Sequence, residues 1–254
     1  DAEAERLAAR LAERQQLLAR DRAATRIALP LYTLAERAGL EPLAFDLFLL
    51  ALAPEVDEGF QRVYPLISGA KRGLDLATAA RILVPAEPAA ASLRRALSPG
   101  GALYDLGLVE LGPSDGGASA GCTMGTTLSV PPSAVAHVLG HEVHEPGLRG
   151  LLVENPERLP RARTFVPDEL WPHVAALADD ASALPLVEGP AGAGKRLLVR
   201  ALAAEQGRRL VELDLSLAPA FDVGQAIVAA RLAWLADAWI LAALPPPPTS
   251  SDEG

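Results

Sequence analysis

The stretch Gly189-Pro190-Ala191-Gly192-Ala193-Gly194-Lys195-Arg196 constrains the fold of this chain more than any other. It matches G-x-x-x-x-G-K-[ST] at seven of eight positions. Glycines let a backbone curl until successive amide N–H groups converge on an anion. A lysine closing such a loop reaches the outer phosphates of a nucleotide, and a helix starting there adds its positive end. That chemistry needs a strand before the loop and a helix after it. The apolar run 184–188 and the helical pattern 195–206 supply those flanks. Alternation continues with a strand at 209–215, a helix at 223–235 and a strand at 239–244. Such alternation predicts a parallel α/β sheet. Gly189, Pro190, Ala191, Gly192, Ala193, Gly194, Lys195 and Arg196 are therefore the candidate nucleotide-binding residues, for ATP or ADP. The competing reading is an ordinary glycine-rich strand-to-helix turn.

Two departures bear on the chemistry. The motif's last position calls for a hydroxyl that ligates Mg²⁺. Arg196 stands there instead, and a guanidinium binds phosphate oxygens but never a metal. The late apolar strand ends in Ala242 and Ala243, where a P-loop ATPase would carry an acid. Asp214, closing the preceding strand, is the alternative acid and reads better as a strand-end residue. Magnesium and ordinary hydrolysis are both in question, and no catalytic residue or metal ligand is assigned.

Before this region the pattern is helical. Residues 1–26 hold six Arg against five acids, with Leu7, Leu11, Leu17 and Leu18 near helical spacing. This predicts an amphipathic helix packed on its own domain. Residues 27–85 read as three helices. The first starts at Pro30 and is broken at Gly39 and Pro42; a very apolar run, 43–53, follows and is ended by Pro54. Asp57 caps the second helix, reaching toward Ile67, and the third spans 74–84. A short helix at 89–97 stops at Pro99-Gly100-Gly101, a strand follows at 103–111, and 126–130 is its return strand across a Gly/Ser-rich loop. Two strands joined by a loose loop after helices are the layout of a winged helix. Pro131-Pro132-Ser133 opens another short helix, and the proline-bearing run 155–167 reads as a linker. The predicted architecture is thus multidomain α plus α/β. An amphipathic helix (1–26) leads into a helical and winged-helix region (27–164). A partial P-loop sheet (165–244) and a Pro-rich tail (245–254) follow.

Composition sets outer bounds. The chain has 254 residues, half of them hydrophobic, with 32 acids against 23 basic residues and a net charge of −9. Disorder is excluded. Binding nucleic acid mainly through phosphates is disfavoured. The single cysteine, Cys122, excludes an internal disulfide framework and suits the cytoplasm. The apolar stretch 231–244 contains Asp237 and is too short to span a bilayer. The chain begins at Asp1 without Met, which reads as a trimmed or processed start, and no targeting segment is recognisable.

Several segments together resemble a known family. Leu31–Leu34, Gly39-Leu40, the run from Phe45-Asp46-Leu47 to Ala53-Pro54-Glu55, and Tyr64-Pro65-Leu66 look like the opening of bacterial winged-helix AAA+ ATPases. Residues 98–111 and 130–140 are similar to the family's middle part. Some members accompany gene clusters for contractile injection systems. The resemblance implies an ATP-binding motor or regulator that forms homo-oligomeric rings and docks protein partners through its N-terminal region. The family's module continues into a sensor strand, an arginine finger and a lid. About 60 residues follow Lys195, so the chain reads as an N-terminal fragment. The rival readings are a DNA-binding winged-helix regulator with a degenerate, nucleotide-sensing P-loop, and a structural pseudo-ATPase scaffold.

Other chemistry-bearing residues read blandly. His137 and His141 are four apart, but His141-Glu142-Val143-His144 lacks the spacing of H-E-x-x-H, so exposed or capping histidines are expected. The candidate recognition helix, 74–83, offers one Arg and one Asp, which favours protein docking over base reading. Cys122 has no neighbouring base or paired cysteine and reads as non-catalytic.

Overall fold

The computed structural model describes residues 29–68, 73–83, 88–112, 122–153, 158–179, 185–190, 192–217 and 222–244, with Pro156 and scattered positions up to residue 21. The described positions from Glu5 to Asp21 are helical and exposed. Residues 113–121 of the Gly/Ser-rich loop and the tail from residue 245 lie outside the described residues.

Helix α1 spans Pro30–Arg37 and α2 spans Pro42–Val56, each with proline in the first turn, where its missing N–H is not needed. The expected break at Pro54 does not occur. Proline at 54 deprives the Leu50 carbonyl of its helical partner. The Tyr64 hydroxyl donates to that same carbonyl at 2.8 Å, so the helix continues to Val56. Tyr64 belongs to α3 (Glu58–Ser68), whose start is fixed by Asp57 accepting the Gly59 N–H at 2.7 Å, as the sequence predicts.

The expected helix 74–84 divides. Leu74–Asp75 form a short strand, β1, and α4 runs over Leu76–Leu83, capped by Asp75 accepting the Thr78 N–H at 2.6 Å. Helix α5 (Pro88–Ala96) and the single-turn α6 (Ala102–Asp105) come next. The expected strand 103–111 is mostly this turn. Leu103 is fully buried there, and only Glu110–Leu111 pair, as β2. Strand β3 (Thr127–Ser129) lies between β1 and β2 in an antiparallel sheet, with Leu74 opposite Leu128 and Leu111 opposite Leu128 on the other edge. Helix α7 (Pro132–Val138) closes this half. Phe48, Leu47, Leu34, Leu76, Leu93, Leu103 and Leu108 form one apolar core beneath the sheet.

The second half is smaller. Single 3-10 turns at Pro146–Leu148 and Arg161–Arg163 precede α8 (Trp171–Asp179). Helix α9 (Lys195–Glu205), β4 (Arg209–Asp214), a 3-10 turn (Leu215–Leu217), α10 (Val223–Ala236) and β5 (Ala238–Ala243) complete it. Strands β4 and β5 are parallel, with Arg209 opposite Ala238 and Asp214 opposite Ala243. Residues 151–153 lie along the other edge of β4, antiparallel to it; Val153 N–H donates to Glu212 O at 2.9 Å. The strand expected at 184–188 is not found among the described residues 185–188. They are exposed and outside any regular element, so among the described residues the parallel sheet has two strands.

Helix α10 joins the halves. Leu235 belongs to the first core, whereas Ala229 and Leu232 pack with Leu148, Leu151, Leu213 and Leu215. Arg231 is buried, donating to Glu145 at 2.8 Å and to the Gly107 carbonyl at 2.9 Å, with Glu110 at 3.3 Å. The helix ends at Asp237 in the left-handed conformation (φ 49°), where Arg37 lies 3.5 Å away and its guanidinium covers the Trp234 ring. Among the described residues no helix is long and apolar enough to cross a membrane.

Candidate functional site

The glycine-rich segment enters α9 through Gly192 and Gly194, both at positive φ (80° and 77°). An L side chain is strained there, which is why glycine occupies both positions. Gly194 is the residue before the helix, and Lys195 is the first residue in it. The Lys195 ammonium folds back over its own loop, donating to Gly189 O at 2.6 Å and Pro190 O at 2.8 Å. Ala191 lies outside the described residues; Ala193 lines the adjoining cavity.

That cavity holds about 220 Å³. Phe165, Val166, Val187, Leu197 and Leu198 give it an apolar wall, and Gly194 and Lys195 also line it. Phe165 is 91% exposed, and its ring edge lies 4.0 Å from where a Cβ on Gly194 would stand. Sequence reading treats Phe165 and Val166 as linker. Their signal is two adjacent apolar residues between Thr164 and Pro167, which no motif flags.

Arg196 points away from the loop, toward β4. Its guanidinium donates to Asp214 Oδ2 at 2.9 Å and lies 4.0 Å from Glu212 Oε1. One helical turn on, Arg200 makes a two-pronged bond to Glu212, Nε to Oε2 at 2.8 Å and Nη2 to Oε1 at 3.0 Å. Two arginines four apart on a helix thus meet two acids two apart on a strand, since both spacings keep side chains on one face. Glu212 is buried, and the Arg200 fork occupies both of its carboxylate oxygens. Asp214 also accepts from the Ser216 hydroxyl and N–H. The Ser216 hydroxyl bond, followed by the Arg196 contacts, holds its carboxyl below the usual range against the opposing effect of burial. Asp214 faces Ala243 across the sheet, so the carboxyl ends of β4 and β5 share the α9 N-terminus, where open α/β sheets bind ligands. The expectation of a strand-end role for Asp214 agrees with these contacts.

The remaining candidates lie elsewhere. Helix α7 ends at Val138, so His137 and His141 do not share a helix face. His137 is half-buried, and burial, then the charge of Arg37, lowers its affinity for a proton. His144 lies exposed, 3.8 Å from Glu142. Among the described residues no three His, Cys, Asp or Glu side chains gather to hold a metal. Burial chiefly pushes the Cys122 thiol up, with Arg94 opposing.

The placement of the recognition helix needs correction. With β1 supplied by residues 74–75, the helix pair before the β2–β3 wing is α4 and α5, so the second helix is Pro88–Ala96 and not 74–83. It carries Arg94 and Arg95, both exposed, in its last turn. Arg81 on α4 is committed to the Ile67 carbonyl at 2.8 Å. The sequence between the wing strands, residues 112–126, contains no Lys or Arg.

Strand order β1-β3-β2 with a helix pair ahead of the wing is a winged helix, and the family model "Winged helix domain, variant" matches residues 1–148, more than half of the chain. The chain belongs to this family. No curated protein and no solved structure matches it. A winged-helix domain is a nucleic-acid- or protein-binding module.

Proposed function

We propose that the chain is a nucleotide-binding protein of the AAA+ type whose winged-helix domain docks partner proteins. The domain division is the one read from the sequence, with 27–164 as the docking region and 165–244 as the nucleotide core. The chain assembles with copies of itself in the cytoplasm, in the setting of a contractile injection system. One observation carries the nucleotide reading. The left-handed glycines of the Gly189–Gly194 loop deliver Lys195 to the first position of an eleven-residue helix, beside an apolar-walled cavity. The loop amides and Lys195 suit the phosphates of ATP or ADP, and the wall of Phe165, Val166 and Val187 suits a flat base. Lys195 exchanges its two carbonyl partners for phosphate oxygens when nucleotide binds. Magnesium does not fit equally well, because position 196 offers no oxygen and the Asp214 carboxylate is already engaged.

Protein docking is favoured over DNA binding by the net charge of −9 and by a wing sequence without cations. A gel shift at low salt tests this. A tight duplex complex that weakens steeply with salt would replace docking by a DNA-binding regulator with a nucleotide-sensing loop.

Isothermal titration with ADP and ATP tests the site. Lys195→Ala is expected to remove measurable binding, and equal affinity in both proteins would leave the loop a structural turn. Phosphate release is expected to stay at background with or without Mg²⁺. An arginine finger alone supplies about 10³–10⁵ in rate, and among the described residues none is assigned that role. Magnesium-dependent release abolished by Lys195→Ala would overturn this part.

A further inference from the structure

We propose that Asp214 sets the phosphate affinity of the glycine-rich loop by competing with phosphate for Arg196, so that the loop carries its second cation in a held-back state. The inference rests on the nucleotide reading of the loop. Arg196 directly follows Lys195 in the first turn of α9, where a guanidinium has the reach and charge to join a bound phosphate chain. Instead it bonds Asp214 at 2.9 Å. That acid is held in place independently of Arg196 by the Ser216 hydroxyl and N–H. The acid is therefore a fixed competitor and the guanidinium the movable partner. Arg196 is 45% exposed and can leave; Arg200, seated on the buried Glu212, keeps α9 fastened to β4 when it does. A group bound to a rival for most of the time lowers apparent affinity by the fraction of time it is free.

Titration of ADP and of inorganic pyrophosphate in magnesium-free buffer measures this. Asp214→Asn keeps an oxygen for Ser216 while removing the charge. It is expected to tighten both ligands about twofold to fivefold, the upper part of the range a partly exposed ion pair commands. Adding Arg196→Ala should cancel the gain, and Asp214→Glu should restore the original affinity. Asp214→Ser should reproduce the gain, which separates lost competition from any distortion caused by the amide. Unchanged or weaker binding by Asp214→Asn and Asp214→Ser, alongside Lys195-dependent binding by the parent protein, overturns the role of Asp214 and leaves the nucleotide reading standing. Absence of ADP and pyrophosphate binding in the parent and every variant overturns both.

Discussion

The winged-helix half and the glycine-loop half are held together by different physics. The first has a single apolar core in which Leu34, Leu47, Phe48, Leu76 and Leu93 are all fully buried. The second has two small apolar clusters and a two-stranded parallel sheet, a pairing that seldom stands without more strands or covered faces. What it has in addition is charge: Arg200 on Glu212 and Arg196 on Asp214 within it, and Arg231 on Glu145 tying α10 to the first half. Apolar burial is tolerant of small shifts, whereas paired charges fix one register of helix against strand. A half built to hold a loop in position gains more from the second.

The largest expected effects set the two kinds of interaction against each other. Phe48→Ala and Arg231→Ala should each cost about 3–5 kcal/mol in urea unfolding, the first by leaving a cavity and the second by stranding the buried Glu145. They part company on compensation. Changing Arg231 and Glu145 together to Leu should recover most of the loss, since apolar replacement of a buried pair is often neutral. No second substitution near Phe48 should do so. Recovery in neither case would mean that the Gly107 carbonyl bond, not the ion pair, is what matters at Arg231.

A middle-sized effect isolates α10. Asp222 accepts the Gln225 N–H at 2.8 Å while Gln225 Oε1 accepts the Asp222 N–H, a reciprocal cap. Asp222→Ala should cost about 0.5–2 kcal/mol by thermal unfolding. Because α10 packs into both cores, both halves should melt earlier and together. Separate melting of the halves would show that the helix does not couple them.

The smallest effects are acid steps, one from each half. His137 resists protonation when folded, so the unfolded chain binds the extra proton. Stability falls as pH drops below about 6.5, the ordinary histidine value, toward the lower folded one. Asp214 has a lowered folded value, so its contribution is whole above about 3.9 and is lost as pH falls through the folded value. Unfolding free energy measured against pH should show the upper step vanish in His137→Gln and the lower one shrink in Asp214→Asn. A profile unchanged by either substitution would remove the two groups from the linkage.

What could be read in advance follows the same division. Asp57 as a cap, Lys195 at the head of its helix and strands near 209–215 and 239–244 rest on local pattern, and the structure has them. Helix α2 runs through Pro54 only because Tyr64 reaches back to the Leu50 carbonyl, a contact no local rule contains. Residues 185–188 have strand composition, yet they pair with no described strand, and composition alone does not supply a partner. The placement of Arg196 was least legible. Nothing in a motif says whether a guanidinium faces a loop or a neighbouring strand until the register of α9 on β4 brings Asp214 beneath it.

Arg231 and Glu145 are 86 residues apart. During synthesis at about 5–20 residues per second, Glu145 waits on the order of 4–17 s for its partner. Leu235, which completes the first core, emerges later still. The winged helix is therefore made early and finished late. Through that interval it is a nascent body with an open wall, and the helix that seals it arrives only after the glycine loop has been made.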